Sequence, residues 1–275
     1  MGARRAARAI ILAIGAALSA PGCLAPPPTP LSADLVESDP ALRAALGSTV
    51  FLIRLKEAGP DGEGTGAVSG GVHLGGGAVL TAAHSVPGRL LSGELDRATI
   101  YAQRGFHEAR LEHSGADLRG RSDPEEARIP SADDWAILRL GGPIGARDAE
   151  RWGVPVEGEK VYIVGFPIMH MREGWLDGFA WTPPEAPAWE TPEPVVIEGL
   201  ARAVSESGFR IRVEGGLTAR HRGTSGAGAF ALRGGRPVLV GVVNKARMRG
   251  DFFSAALVPG PARERLGPCA GWDDP

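Results

Sequence analysis

The chain has 275 residues, 43% of them hydrophobic and 23% charged, which excludes a disordered chain and suffices for one large or two small domains. The net charge is −2 and no basic run of five or more residues lies beyond the N-terminus, which excludes the electrostatic footprint of a nucleic-acid binder.

Residues 1–23 read as an export signal. Arg4, Arg5 and Arg8 precede an apolar run from Ala9 to Ala20 that is too short to span a bilayer, and small residues then lead to Cys23. The stretch from Leu18 to Cys23 resembles a bacterial lipobox, in which the cysteine becomes the lipidated first residue of the mature chain. Pro21 is foreign to that motif, so two fates stand open: lipidation of Cys23, with attachment to a membrane, or cleavage by an ordinary signal peptidase. Either way the expected location is outside the bacterial cytoplasm, as an envelope lipoprotein or a periplasmic or secreted protein. Cys269 is the second and last cysteine, a lone thiol if Cys23 is lipidated or removed and its partner if Cys23 survives.

Residues 24–47 form a spacer and a lead-in. Ala25 to Pro30 carries four prolines and is stiff and extended. Asp39-Pro40 then supplies an N-cap and a first-turn proline, and Gly47 a terminal glycine, around a short helix expected to pack on the folded domain.

From Thr49 the chain is a series of short apolar or alternating runs divided by Gly, Pro, Asp and Asn. They are Val50 to Leu55, Gly66 to Leu74, Ala78 to Ala82, Thr99 to Gln103 and Ala136 to Leu140, then Val161 to Phe166, Val195 to Val204, Phe209 to Val213, Gly228 to Leu232, Val238 to Asn244 and Phe252 to Val258. Regular short strands of this kind predict an all-β protein, barrel or sandwich. The Gly- and Pro-bearing stretch from Gly141 to Gly158 is where the chain divides, giving a first unit over 48–145 and a second over 146–275.

Three segments carry residues suited to acyl transfer. Ala78-Val79-Leu80-Thr81-Ala82-Ala83-His84 is an apolar strand that runs through two alanines to a histidine, the small residues leaving room for a neighbouring chain. Asp133-Asp134-Trp135-Ala136-Ile137-Leu138 sets a carboxylate at the mouth of a strand that must be buried, and a buried carboxylate needs a partner. Gly223-Thr224-Ser225-Gly226-Ala227-Gly228 sets a serine between small residues, where its hydroxyl stays reachable. There the amides of Gly223 and Ser225 can converge on a developing oxyanion. Ser225, His84 and Asp134 would thus supply nucleophile, base and orienting acid.

Together these segments resemble the trypsin-like, chymotrypsin-fold serine proteases. The histidine motif stands as Val79-Leu80-Thr81-Ala82-Ala83-His84. The aspartate motif stands as Asp134-Trp135-Ala136-Ile137-Leu138, which selects Asp134 over Asp133, and the serine motif is present in part as Gly223 to Gly228. The order His, Asp, Ser fits, with separations of 50 and 91 residues, and the likeness runs over roughly residues 48–262. It implies two antiparallel β-barrels with the site in the cleft between them. It also implies an endopeptidase that cuts polypeptides through an acyl-enzyme, with Gly223 and Ser225 as the oxyanion hole.

The departures matter as well. Ser85 stands where animal members place a cysteine, so the disulfide beside the histidine is missing. Thr224 stands where many members have an aspartate that receives a new N-terminal ammonium, so no such ammonium should insert and the threonine hydroxyl should hold the loop by bonds to backbone. The resemblance places Ala219 at the floor of the primary specificity pocket, and Asn244 is a second candidate for substrate binding. A small apolar floor does not indicate cleavage after basic residues, while Asp251, or Arg220, His221 and Lys245, are alternative contributors of charge.

Other functions fit the sequence less well. A protease-like domain that binds peptides without cutting them would not need all three of His84, Asp134 and Ser225. An α/β-hydrolase elbow wants Gly-x-Ser-x-Gly, and Ala227 occupies the last place. His73 reads as packed or at a strand edge, His107 and His113 as part of a polar loop region, and His170 and His221 as flanking loops. No histidine pair has zinc-site spacing, so neither metal nor cofactor is expected. Asp117, Asp123, Glu125 and Glu126 read as a solvated acidic loop. Ile168 to Pro194 is a long loop with Trp175, Phe179, Trp181 and Trp189 among five prolines, suited either to gripping a substrate or to packing on the second unit.

Overall fold

Each apolar run among the described residues becomes a strand, because its alternate residues find two surfaces to face. The structure is a computed structural model and describes residues 39–55, 66–102, 105–124, 127–141, 151–166, 194–217, 221, 223–247 and 250–265.

The first sheet holds β1 (Thr49–Leu55), β2 (Gly66–Gly75), β3 (Ala78–Thr81), β4 (Ala98–Ala102), β5 (Gly105–Ser114) and β6 (Ala136–Leu140). Their order is β1-β2-β3-β6-β5-β4, and β4 pairs back onto β1, so the sheet closes into a barrel filled by Val50, Val79, Ile100, Ala109 and Leu138 among others. The second sheet holds β7 (Arg151–Trp152), β8 (Lys160–Gly165), β9 (Val195–Arg202), β10 (Gly208–Arg212), β11 (Gly228–Arg233), β12 (Arg236–Arg247) and β13 (Phe252–Ala256). Its pairings run β11-β8-β9-β10-β13-β12 and return to β11, so it too curls on itself, around Ile163, Ile211, Ala229 and Phe253. β7 pairs with the outer side of β12 in parallel, the one exception to an otherwise antiparallel arrangement among the described strands.

A third buried cluster joins the two barrels. Val72, Leu80 and Ile137 from the first meet Val164, Phe230, Leu239 and Val242 from the second. This explains why Ala78–Thr81 is apolar at successive positions: β3 is buried on both faces, with Val79 in the first barrel's interior and Leu80 in the shared layer. Each such side chain contributes about 1.5–3 kcal/mol when fully buried, so the barrels are held as one packed unit.

The lead-in helix α1 (Pro40–Ser48) lies against this shared layer through Leu42 and Ala45. Asp39 caps it by accepting from the amides of Ala41 at 2.8 Å and Leu42 at 3.4 Å. Gly47 does not end the helix as its sequence position suggested. The helix runs on to Ser48, and Thr49 stops it, its hydroxyl donating to the Ala45 carbonyl and its chain leaving directly as β1.

One further expectation is corrected. His107 and His113 belong to β5 and not to a loop: that strand pairs with both β4 and β6, and the pairing overrides a sequence in which only Ala109 is fully apolar and buried. Two short helices, α2 (Gly88–Leu91) and α3 (Gly260–Arg265), lack the length that would show a helical period in sequence. His73 is packed, at 3% exposure, within β2.

Candidate functional site

The histidine is delivered by the end of β3. After Thr81 the chain passes through Ala82 and Ala83, both fully buried, into a single 3₁₀ turn, Ala83–Ser85, which leaves His84 partly exposed above them. Larger side chains at the two alanines would not fit that packing.

Asp134 meets it from two residues before β6. Its carboxylate is 2% exposed and accepts three bonds from His84: from the backbone N–H to Oδ1 at 2.9 Å, and from ring Nδ1 to Oδ2 at 2.8 Å and Oδ1 at 3.1 Å. An ionised carboxylate can only accept, so Nδ1 carries a proton, and in the neutral ring the lone pair is then on Nε2. The arrangement therefore fixes both the ring's orientation and the tautomer in which its outer nitrogen can take up a proton. Asp133, next in sequence, is exposed and makes no contact of this kind.

What lets Asp134 reach inward is a residue the sequence reading passed over. At Gly115, a Cβ would fall 2.4 Å from Trp135 Nε1 and 2.6 Å from the Asp133 carbonyl. Glycine is thus required where β5 ends, because the chain segment carrying Asp134 crosses it in contact. Gly115 N–H and Ser114 Oγ both donate to the Trp135 carbonyl, completing the clasp.

The serine loop is held by main chain. Ser225 is partly exposed, and its carbonyl accepts from Gly70 N–H of β2 at 2.7 Å. Gly226 N–H donates to the Val243 carbonyl of β12 at 2.7 Å, and Val243 N–H returns a bond to Ala227. Gly223 and Gly226 take φ of +88° and +79°, a region open to glycine and costly for other residues. At Gly226 space forbids a side chain as well: a Cβ would stand 2.0 Å from the Gly70 carbonyl oxygen and 2.4 Å from Thr81 Oγ1. Thr224, 2% exposed, donates its hydroxyl to the His221 carbonyl at 3.0 Å, which is the bond to backbone expected of it.

Two contacts link the parts. Thr81, three residues before His84, donates its hydroxyl to the Gly70 carbonyl at 2.7 Å, and Gly70 in turn holds Ser225. On the other side Asn244 of β12, 2% exposed, donates from Nδ2 to the carbonyl of Ser131 at 2.6 Å, in the turn that leads to Asp134. Asn244 sits at a register shift between Val243 and Lys245, a bulge that turns its side chain toward the first barrel. Its side chain thus braces the Asp134 loop. Neither Thr81 nor Asn244 was singled out for this work in the sequence, since the bonds join residues 11 and 113 positions apart.

Asp251 accepts from Leu217 N–H at 3.3 Å and so braces the turn at Gly215–Gly216. His221 is buried edge-on to Phe253. Ala219, Arg220, Cys23, Cys269, His170, Glu125, Glu126 and the aromatic loop after Ile168 lie outside the described residues.

No family model matches the chain, and no curated protein matches it in sequence. Among solved structures, the active form of the Rv3671c protease from M. tuberculosis is similar at a TM-score of 0.51 and 18% identity, over 90% of this chain and 89% of that one. A Glu endopeptidase is similar at 0.49 and 13% over 80% and 88%, and the tobacco etch virus protease at 0.47 and 12% over 80% and 77%. The likeness to the mycobacterial protease shows the fold: two β-barrels of chymotrypsin type.

Proposed function

We propose that this chain is an exported serine endopeptidase that cuts polypeptides through an acyl-enzyme. The observation that carries the reading is the grip of the buried Asp134 on His84, which leaves Nε2 as a proton acceptor in a fold whose second barrel presents Ser225 on a tight glycine-flanked turn. His84 takes the Ser225 proton as the oxygen attacks a peptide carbonyl. The amides of Gly223 and Ser225 hold the oxyanion, and His84 returns the proton to the leaving amine. Water then repeats the sequence on the acyl-enzyme and frees Ser225. Asp134 stays ionised throughout and stabilises the imidazolium.

Export rests on the residue 1–23 signal, and membrane attachment through lipidated Cys23 goes with its lipobox-like form. Replacing Cys23 with serine releases the protein from membranes if the cysteine is lipidated and leaves fractionation unchanged otherwise.

A fluorophosphonate probe tests the chemistry. The mature protein is labelled on Ser225 and the Ser225→Ala variant is not. Labelling that survives the substitution overturns the assignment, and absence of labelling in both supports a peptide-binding domain without catalysis.

A further inference from the structure

The outer face of the second barrel carries an unusual row of cations. The register sets Arg202 of β9 opposite Arg210 of β10, Arg210 opposite Ser254 of β13, and Ser254 opposite Lys245 of β12. Two residues along, Leu200, Arg212, Phe252 and Arg247 form the next row on the same face. The intervening Ala201, Ile211 and Phe253 are buried in the barrel, so these eight positions point outward. Five of them are cationic and none is acidic, in a chain whose net charge is −2.

The arrangement carries a cost. Like charges directly opposite each other on paired strands repel, and Arg202 and Arg210 are such a pair. Arg202 has a carboxylate at 3.7 Å, that of Glu157; among the described residues Arg210, Arg212, Lys245 and Arg247 have none within ion-pair distance. Protection of a sheet edge does not explain them, because β10 and β13 are paired on both sides. Arg210 instead lies over the Phe252 ring, 4.7 Å from its centroid, which holds the guanidinium flat on the surface.

The face is continuous with the candidate site. Val243 of β12 holds the serine loop, Asn244 braces the Asp134 loop, and Lys245 and Arg247 follow on the same strand. We infer that this face recognises an acidic stretch of the polypeptide substrate, with Glu or Asp side chains within a few residues of the bond that is cut. The inference rests on the endopeptidase reading and narrows its substrate class.

Matched peptides that differ only in Glu for Gln beside the cleaved bond test it, chosen from cleavages of a peptide mixture. Wild-type protein should cut the Glu member about tenfold faster at low salt, with the difference shrinking at about 0.5 M salt, where charge is screened within a few ångströms. Lys245→Glu/Arg247→Glu should lose or reverse the preference. A Glu-to-Gln ratio near one in wild type at low salt overturns the inference while leaving the endopeptidase reading intact. If nothing is cut, that reading fails separately, and anisotropy of fluorescein-labelled hexaglutamate with the Ser225→Ala protein decides the face: salt-sensitive binding supports it and none overturns it. Sedimentation with phosphatidylglycerol vesicles, without Glu preference, also overturns it and assigns the cations to a lipid surface.

Discussion

The histidine side and the serine side of the candidate site are held in place by different means. On the first barrel a buried side chain, Asp134, grips His84 by three hydrogen bonds. On the second the holding atoms are almost all main chain: Gly70, Val243 and Ala227 fix the loop, and positive φ at Gly223 and Gly226 shapes it. A position held by one side chain fails by a change of chemistry there, whereas a position held by backbone fails by a change of shape.

The largest expected effect breaks the first side. Asp134→Asn exchanges an acceptor for an amide and favours the wrong tautomer, so turnover should fall by roughly 10⁴ while the fold survives. Asp133→Asn, on the exposed neighbour, should leave turnover unchanged. Initial rates on any peptide substrate decide between them, and a crippled Asp133 variant would reverse the assignment of the two carboxylates.

Next comes the second side. Gly226→Ala sets a Cβ against the Gly70 carbonyl and Thr81 hydroxyl, so the loop must shift by a large fraction of an ångström or more. Labelling of Ser225 should slow by about 10²-fold, as a misplaced reacting group commonly does. The thermal midpoint should also drop, in contrast to Asp134→Asn. Normal labelling in Gly226→Ala would show that the loop is not confined as described.

The bridging residues sharpen the comparison. Thr81→Val leaves Gly70 without its side-chain donor, and Asn244→Ala does the same for Ser131. Each should cost about 1–2 kcal/mol in urea unfolding and slow turnover by around tenfold or less. Thr81→Val should act on Ser225 labelling directly, and Asn244→Ala through the Asp134 loop, so the pair should be less than additive if both serve one site.

The smallest effect lies away from the cleft. Glu159 is held below the usual glutamate range, first by its hydrogen bonds from Arg233, which also binds the Val154 carbonyl. A lowered folded pKa adds stability that is present above the ordinary glutamate value and is lost as pH falls through the folded one. With both side chains partly exposed, the gain should be under about 1 kcal/mol. Thermal midpoints of Glu159→Gln should therefore fall below wild type at neutral pH and converge with it in acid, with Ser225 labelling unchanged. A gap that persists in acid would assign the effect to packing.

Legibility in the sequence follows the same division. His84, Asp134 and Ser225 stood out as candidates because each lies in a short local pattern of small or apolar neighbours, and the choice of Asp134 over Asp133 followed from the aspartate motif of the resemblance. The strand series was readable because both barrels are built of short runs with alternating or doubly buried faces. β5 was not, since its residues are mostly polar and it becomes a strand only between β4 and β6. Gly115 gave no local signal either: a glycine in a polar stretch suggests a turn, and its need appears only when Trp135 and Asp133 are laid across it.

The sequence by itself determined the strand character of the chain, the cap that starts α1 and the residue types that make acyl transfer chemically available. Those are properties of near neighbours, governed by backbone preference and by the period of apolar side chains. Tertiary structure alone decided that Asn244 braces the loop of Asp134, that Thr81 reaches the serine loop through Gly70, and that five cations from three strands share one outward face. Pairing register and barrel closure set these distances, and both are decided between segments far apart in the chain.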